Sequence, residues 1–152
     1  MSQIAALLPA ENILLDLDAG SKAGLFDAIG ALFESRHQLS RRAVSESLLA
    51  REKLGSTGLG QGIAIPHGRI RGLSAAQGAF MRLRSPIPFD APDGKPVALV
   101  FVLLVPEQAT EQHLQLLSEL AQMFGETRFR ESLAAPTDAA GLRAIFEKWE
   151  PA

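Results

Sequence analysis

The chain has 152 residues, of which 47% are hydrophobic and 21% are charged, and its formal net charge is −2. This length and this apolar share are enough for one compact domain over residues 1–152 with a sizeable core, and they exclude extensive disorder. The weak charge lacks the basic excess that is typical of nucleic-acid binders, and the absence of cysteine excludes disulfides, thiol nucleophiles and cysteine-based metal sites.

The first half of the chain predicts one strand and two helices. Residues 13–18 alternate with a period of two, which is typical of a strand. A helix is predicted to follow Ser21, and Ser40 is a candidate N-cap for a second helix that ends near Leu54 and Gly55. The first helix carries one apolar stripe, formed by Leu25, Ile29, Leu32 and Phe33.

The second half predicts strands followed by helices. The glycine-rich segment 55–68 contains a short apolar piece, residues 63–65. Residues 79–84 alternate and predict a strand, whereas the prolines of residues 85–96 predict a loop or a sheet edge. Residues 97–105 are continuously apolar, which is typical of a central strand covered on both faces. Three more helices are predicted, over about 110–124, over about 128–133, and around a last stripe of Leu142, Ile145, Phe146 and Trp149.

These elements place helices before and after a run of strands. Because the strand at 97–105 needs apolar cover on both faces, helices are expected on both sides of the sheet. We therefore predict an α/β fold: a single-domain three-layer sandwich with a small mixed β-sheet and helices on both faces.

The sequence also predicts the compartment. The apolar run at 97–105 is too short to cross a bilayer as a helix. The N-terminal segment lacks the basic start of a signal peptide and carries Glu11. We expect a cytoplasmic protein without membrane insertion.

His67 is the side chain that the local sequence presents most rigidly. Ile65 precedes a proline and is therefore biased towards an extended backbone. Pro66 has a fixed φ, and Gly68 permits a sharp exit or the close approach of another molecule. This predicts a histidine held at the end of a strand with little bulk beside it, although a histidine that only closes a turn would show the same pattern.

Histidine suits phosphoryl transfer between proteins. Its ordinary pKa is about 6.5, so the neutral, nucleophilic imidazole is abundant near pH 7. The phosphoramidate that it forms keeps a high transfer potential. The protein then has to supply placement and charge neutralisation.

Four further side chains are candidates for such a site. His113 lies in the first turn of the helix predicted after the central strand and could donate to a phosphate on His67, or could be a buried histidine satisfied by the backbone. The guanidinium of Arg51 matches phosphate oxygens, although a charged triplet is often a solvated surface. Ser56 and Thr57 could supply hydroxyl donors or could only form the turn.

Other chemistries have weaker support. Two histidines with Glu111 could bind zinc, but there is no HExxH pattern, and we expect no metal site. The glycines of residues 55–68 could cradle a phosphate with backbone N–H groups, yet no GxxxxGK[ST] motif is present, and we expect no nucleotide or other cofactor. His37 follows an exposed helix end and is interpreted as solvated surface.

Three segments resemble one known family. Residues 51–68, REKLGSTGLGQGIAIPHG, closely resemble the signature of the fructose/mannitol-type EIIA domains of the bacterial phosphotransferase system, and most of all their nitrogen-regulatory branch. Residues 103–106 with 112–114 resemble the family's second histidine segment, and residues 86–90, PIPFD, are also similar. The likeness extends over nearly the whole chain.

The resemblance implies a phosphocarrier and regulatory role. It implies that His67 is phosphorylated on Nε2 by HPr or an HPr-like phosphocarrier, that Arg51 neutralises the phosphate, and that His113 lies beside the phosphorylated histidine. Whether such a phosphohistidine intermediate makes the chain an enzyme is left open. The resemblance also implies control of other proteins, such as sensor kinases and potassium-transport components.

Two alternative functions stay open on the sequence. The chain could be a sugar-specific EIIA that passes phosphate to a fructose or mannitol EIIB. It could also be a binding module whose interactions do not depend on phosphorylation.

Overall fold

The computed structural model describes residues 3–109 and 111–151. Its helices are α1 (Gln3–Ala6), α2 (Lys22–His37), α3 (Arg41–Lys53), α4 (Glu111–Gly125), α5 (Thr127–Ser132) and α6 (Ala139–Lys148). Its strands are β1 (Ile13–Leu17), β2 (Gly58–Gly60), β3 (Ile63–Ala64), β4 (His67–Ile70), β5 (Gln77–Ile87) and β6 (Val97–Pro106). A short 3₁₀ turn at Ala10–Asn12 precedes β1. No helix in this described part is long and apolar enough to cross a membrane.

The strands form one mixed, open sheet in the order β1-β5-β6-β3-β2. β6 is central: it pairs antiparallel with β5 on one side and parallel with β3 and then β4 on the other. β1 runs parallel to β5 and forms one edge, and the three-residue β2 together with β4 forms the other. The predicted mixed sheet is confirmed.

Alternate side chains of β6 build two separate cores. Phe101 and Leu103 face α1, α4, α5 and α6, whereas Val100 and Val102 face α2 and α3. All four are 0% exposed, so both faces of the central strand are dry. The predicted three-layer arrangement, with helices on both faces, is therefore confirmed.

The helix starts follow from local hydrogen bonds that the sequence predicts. Ser21 Oγ accepts from the Gly24 N–H at 3.0 Å, and Ser40 Oγ accepts from the Ala43 N–H at 3.2 Å. Each bond satisfies a donor that the first helical turn leaves free. Gln38, in the left-handed region at φ 56°, ends α2.

Several boundaries differ from the predictions. β5 continues to Ile87, beyond the predicted end at 84. Pro86 has no N–H to donate, and it is tolerated because it lies within a register shift, between Arg82 and Ile87, where the regular ladder is interrupted. Trp149 is extended and lies just beyond α6, although it completes that helix's predicted stripe. The predicted start of α4 at Thr110 falls outside the described residues.

The edge strand β1 is irregular. Asp16 has a positive φ of 60°, and the register against β5 shifts between Leu14 and Leu17. A bulge of this kind bends a strand and interrupts its ladder.

Candidate functional site

Three elements bring the main candidate side chains to one cavity of about 360 Å³. His67 is the first residue of β4, Arg51 lies in the last turn of α3, and His113 lies in the first turn of α4. The sequence placed His67 at the end of a strand; instead it begins β4, directly after Pro66. The Pro66 carbonyl accepts from the Leu103 N–H at 3.0 Å, which ties this turn to the central strand.

The ring of His67 is oriented by its own chain. Nδ1 lies 2.8 Å from the carbonyl oxygen of Ile65. Because a carbonyl only accepts, Nδ1 carries the proton and Nε2 keeps its lone pair. Burial lowers the pKa of His67, and the Ile65 carbonyl opposes this; the charge of Arg51 lowers it further, and that of Glu52 opposes. A half-buried, neutral imidazole with a free Nε2 is a nucleophile.

His113 lies against His67. The two ring centroids are 5.5 Å apart with an interplanar angle of 62°, an edge-to-face arrangement. Burial lowers the pKa of His113, and the charges of His67 and Arg69 lower it further. Its Nδ1 is buried without a hydrogen-bond partner in the described part of the protein. Two imidazoles whose pKa values are lowered therefore share the cavity, and His113 lies beside the candidate nucleophile His67.

Arg51 is held over the glycine-rich segment. Its Nη1 donates to the Gly55 carbonyl at 2.8 Å. A guanidinium has five N–H donors, and this bond uses one. The fixed positive charge lies close enough to His67 to lower the pKa of that ring, and it suits an anion bound at Nε2.

Ser56 and Thr57 line an adjoining cavity of about 270 Å³ together with Arg51 and His67. Ser56 Oγ donates to the Phe89 carbonyl at 2.8 Å, and Thr57 Oγ1 donates to a carboxylate oxygen of Glu52 at 2.7 Å. Both hydroxyl protons are thus used within the protein. Their role as phosphate donors stays a prediction.

Gly68 permits a close approach, as predicted, but the neighbour belongs to the same chain. A Cβ at this position would lie 2.3 Å from Ser47 Oγ on α3. Ser47 Oγ in turn donates to the Arg69 carbonyl at 2.9 Å. The lack of a side chain at residue 68 lets α3, and with it Arg51, pack directly against β4.

The family follows from comparison with known proteins. The family model described as "Phosphoenolpyruvate-dependent sugar phosphotransferase system, EIIA 2" matches residues 6–149. The chain belongs to this family. The resemblance seen in the sequence is confirmed.

Individual relatives of this EIIA chain are similar over almost their whole length. The crystal structure of nitrogen regulatory protein IIA-Ntr from Neisseria meningitidis has 56% identity and a TM-score of 0.89, over 95% of this chain and 99% of that one. A nitrogen regulatory protein of Pseudomonas aeruginosa is 43% identical over 95% of both chains. A fructose-specific EIIA component of Haloferax volcanii is 36% identical over 88% of this chain and 87% of its own. Within the family, the chain is thus similar both to nitrogen regulatory proteins and to a sugar-specific component.

Two charged residues in or next to the cavity were missed by the sequence analysis. Arg69 lines the cavity and donates from Nη1 to the Glu107 carbonyl at 3.0 Å. The period of two along a strand places residues 67 and 69 on one face, and this signal could have found it. Glu52 is buried next to Arg51. Because both of its sequence neighbours, Arg51 and Lys53, are charged, the local sequence did not indicate burial.

The interpretation of His37 as solvated surface is wrong. It is half-buried, its Nε2 lies 2.6 Å from Asn12 Oδ1, and its ring packs 5.7 Å from that of Phe33. Asn12 is 1% exposed and needs partners for its amide. The contact joins residues 25 positions apart, so the local pattern could not predict it.

Two further features of the structure bear on other possible sites: a second cavity and the grouping of potential metal ligands. A larger cavity of about 520 Å³ lies between α4 and Trp149, and none of the candidate residues lines it. Within residues 3–109 and 111–151, no three His, Asp or Glu side chains group in a way that would hold a metal ion.

Proposed function

We propose that this chain is a phosphocarrier and regulatory protein of the nitrogen-related phosphotransferase system. It accepts a phosphoryl group on Nε2 of His67 from an HPr-like phosphocarrier. The observation that carries the proposal is the 2.8 Å contact between His67 Nδ1 and the Ile65 carbonyl, which leaves Nε2 as the nucleophilic nitrogen in a cavity shared with Arg51 and His113.

The transfer needs no metal or nucleotide. The lone pair of His67 Nε2 attacks the phosphorus of the carrier's phosphohistidine in line. A new N–P bond forms as the carrier's N–P bond breaks, and the electron pair of the broken bond returns to the carrier's imidazole. Little other covalent work is required of the protein, because positioning and charge stabilisation supply the catalysis.

Charge stabilisation falls to the groups around Nε2. Arg51 supplies a fixed positive charge, and neutral His113 has one N–H to donate to a phosphate oxygen. Preorganised donors of this kind stabilise charge that develops in the transition state.

The surface around the cavity suits a protein donor. Leu54, which lines the cavity, is 84% exposed; Leu114, next to His113, is 66% exposed; and Leu59, which lines the adjoining cavity, is 45% exposed. Apolar side chains that rim a reactive centre favour docking of a complementary apolar surface. We therefore place the phosphocarrier on this leucine rim.

Phosphorylation would then change the same surface. A phosphoryl group adds about −1.5 to −2 charges at pH 7, by comparison with other phosphorylated side chains. That charge, set among exposed leucines, changes which partner binds. Sensor kinases and potassium-transport components are the classes of regulated partner that we propose, with the protein acting in the cytoplasm.

The direct test is phosphoryl labelling. The purified protein is mixed with phosphorylated carrier, and acid-labile phosphate is measured by intact mass and by phosphate release. We expect one phosphoryl group on the wild type and none on His67→Gln. His37→Gln, a histidine substitution outside the cavity, is the matched control and should label normally. Wild-type labelling of His67→Gln would overturn the proposal.

The fructose-specific relative favours one second candidate, a sugar EIIA. Such a protein would pass its phosphoryl group to an EIIB. Incubating the labelled chain with fructose and mannitol EIIB domains decides between the two, because a regulatory protein should keep its phosphate in both mixtures. If partners bind His67→Ala and the phosphorylated protein equally well, regulation by phosphorylation fails.

A further inference from the structure

We propose that Glu52 is a positioning residue for His67: through Thr57 and Ile65 it holds the imidazole in the orientation that presents Nε2 to the cavity. This inference rests on the proposed function, because His67 is taken to be the reacting group. Glu52 itself does not line the cavity of about 360 Å³ and acts through the chain between residues 57 and 67.

Glu52 is an uncommonly buried carboxylate. Its side chain is 5% exposed, and it accepts three kinds of hydrogen bond. Lys22 Nζ donates at 2.9 Å, Thr57 Oγ1 at 2.7 Å, and the Thr57 N–H at 3.2 and 3.3 Å to the two oxygens. A carboxylate buried in this way needs both a countercharge and hydrogen bonds, and Lys22 with Thr57 supplies both.

The hydrogen bonds continue from Glu52 to the nucleophile. The Thr57 carbonyl accepts from the Ile65 N–H at 3.0 Å. The Ile65 carbonyl lies 2.8 Å from His67 Nδ1, which donates to it. Glu52 thus connects to His67 through the backbone of Thr57 and Ile65, and these bonds fix the position of the carbonyl that accepts from Nδ1.

At the other end of this hydrogen-bond network, Lys22 is held by contacts with two further residues. Lys22 is the first residue of α2, and its Nζ lies 4.5 Å from the centre of the Phe89 ring and 3.3 Å from Asp90 Oδ2. Ser56, one residue before Thr57, donates to the Phe89 carbonyl. The network therefore clamps the loop after α3 between α2 and the segment around Phe89, and the position of Ile65 depends on that loop.

A purely structural role would also explain the burial of Glu52. The two roles differ in what happens to the ring of His67. If Glu52 only stabilises the fold, a folded Glu52→Gln variant keeps the proton of His67 on Nδ1. If Glu52 positions His67, weakening the chain of bonds releases the ring, and the proton distributes between Nδ1 and Nε2.

The experiment measures the ¹⁵N shifts of the His67 ring by NMR in the unphosphorylated protein, across pH. We expect the wild type to hold the proton on Nδ1. In Glu52→Gln we expect a larger share of the Nε2–H form and a lower pKa of His67, because the carboxylate charge beside it is lost. Thr57→Val, which keeps the side-chain shape but removes the hydroxyl, should shift the tautomer in the same direction by a smaller amount.

Glu46→Gln is the matched control, since Glu46 is an exposed carboxylate on the same helix, paired with Arg42. It should leave the ring unchanged. The rate of labelling by phosphorylated carrier should fall on the order of tenfold to a hundredfold in Glu52→Gln, the effect of small misplacement of a reacting group, and stay unchanged in Glu46→Gln.

The outcomes separate this inference from the proposed function. An unchanged His67 tautomer in folded Glu52→Gln would overturn the positioning role, whatever the pKa, because loss of the Glu52 charge alone lowers the pKa of His67. If Glu52→Gln does not fold, an unchanged tautomer in Thr57→Val would do the same. A tautomer shift in a protein whose wild type accepts no phosphate would support the positioning role and overturn the proposed function.

Discussion

The face of the sheet under α4, α5 and α6 and the face under α2 and α3 are both dry, but different interactions hold them. On the first face five phenylalanine rings interlock, with centroids 5.2 to 6.5 Å apart, and Phe146 contacts four of them. The rings are Phe80, Phe101, Phe124, Phe129 and Phe146. On the second face, apolar packing that is mostly aliphatic but includes Phe26, Phe33 and Phe89 is joined beside the site by the partly buried Lys22–Glu52 ion pair. Glu52 also accepts from Thr57.

The difference separates stability from orientation. Apolar packing is strong but nearly non-directional, so it stabilises the layers without fixing one ring nitrogen. Hydrogen bonds contribute less to the free energy of unfolding but set directions. Substitutions on the aromatic face should therefore lower stability and spare the site, whereas substitutions at the junction of α3 and β4 should lower stability less and disturb the site.

Phe146→Ala tests the first half of this comparison and should have the largest effect. The ring is 0% exposed, and its removal leaves a cavity among four other rings. We expect the free energy of unfolding to fall by about 3–5 kcal/mol, measured by urea denaturation. Phe146→Leu should lower the free energy of unfolding by a smaller amount. The His67 tautomer should stay the same in both variants. A tautomer change as large as that of Glu52→Gln would break the comparison.

Gly68→Ala tests the second half, with a smaller effect on stability. The added Cβ would lie 2.3 Å from Ser47 Oγ, so α3 must move away from β4. We expect the free energy of unfolding to fall by about 1–3 kcal/mol, the usual cost of overpacking, and labelling of His67 to slow as Arg51 shifts.

Ser47→Ala removes the clashing hydroxyl and provides the matched background. In the double variant Gly68→Ala/Ser47→Ala we expect most of the stability and labelling rate to return. If the double variant is as impaired as Gly68→Ala alone, the contact with Ser47 is not the reason for a glycine at this position.

A pH series should show the smallest effect. Burial lowers the pKa of both His67 and His113 in the folded protein, whereas unfolded histidines keep a pKa of about 6.5. Below about pH 6.5 the unfolded chain binds more protons than the folded one, so the free energy of unfolding falls as the solution is acidified. Above that pH the two histidines are neutral in both states and do not change the free energy of unfolding.

The measurement is urea denaturation between about pH 7.5 and about pH 5.5, a range above carboxylate titration. The His67→Gln/His113→Gln variant keeps His37 and should show a flatter pH dependence than the wild type. Equal slopes for the two proteins would mean that these imidazoles are not held neutral by the fold.

The sequence predicted best what depends on near neighbours. The caps Ser21 and Ser40 and the doubly covered strand at 97–105 are local patterns, and the structure confirms them. Strands β2 and β3 have only three and two residues, too few to show an alternation.

The site was predictable only in part. Neighbouring residues predicted that His67 follows a proline turn and that His113 lies in the first turn of a helix, and the family resemblance predicted that the two histidines lie side by side. Glu52 could not be found, because its countercharge, Lys22, is 30 positions away and meets it only when α2 and α3 pack. Burial of a residue within the charged segment 51–53 is a tertiary effect that local composition conceals.

The irregular backbone at Asp16 has a consequence for how copies of this protein meet one another. A long, straight outer strand would offer a row of unpaired N–H and C=O groups, onto which a neighbouring chain could add. Here one border of the sheet is bent at Asp16, with φ 60°, and the other consists of two short strands, β2 with three residues and β4 with four. These edges thus disfavour the addition of a second chain to the sheet, even though Leu54, Leu59 and Leu114 are exposed.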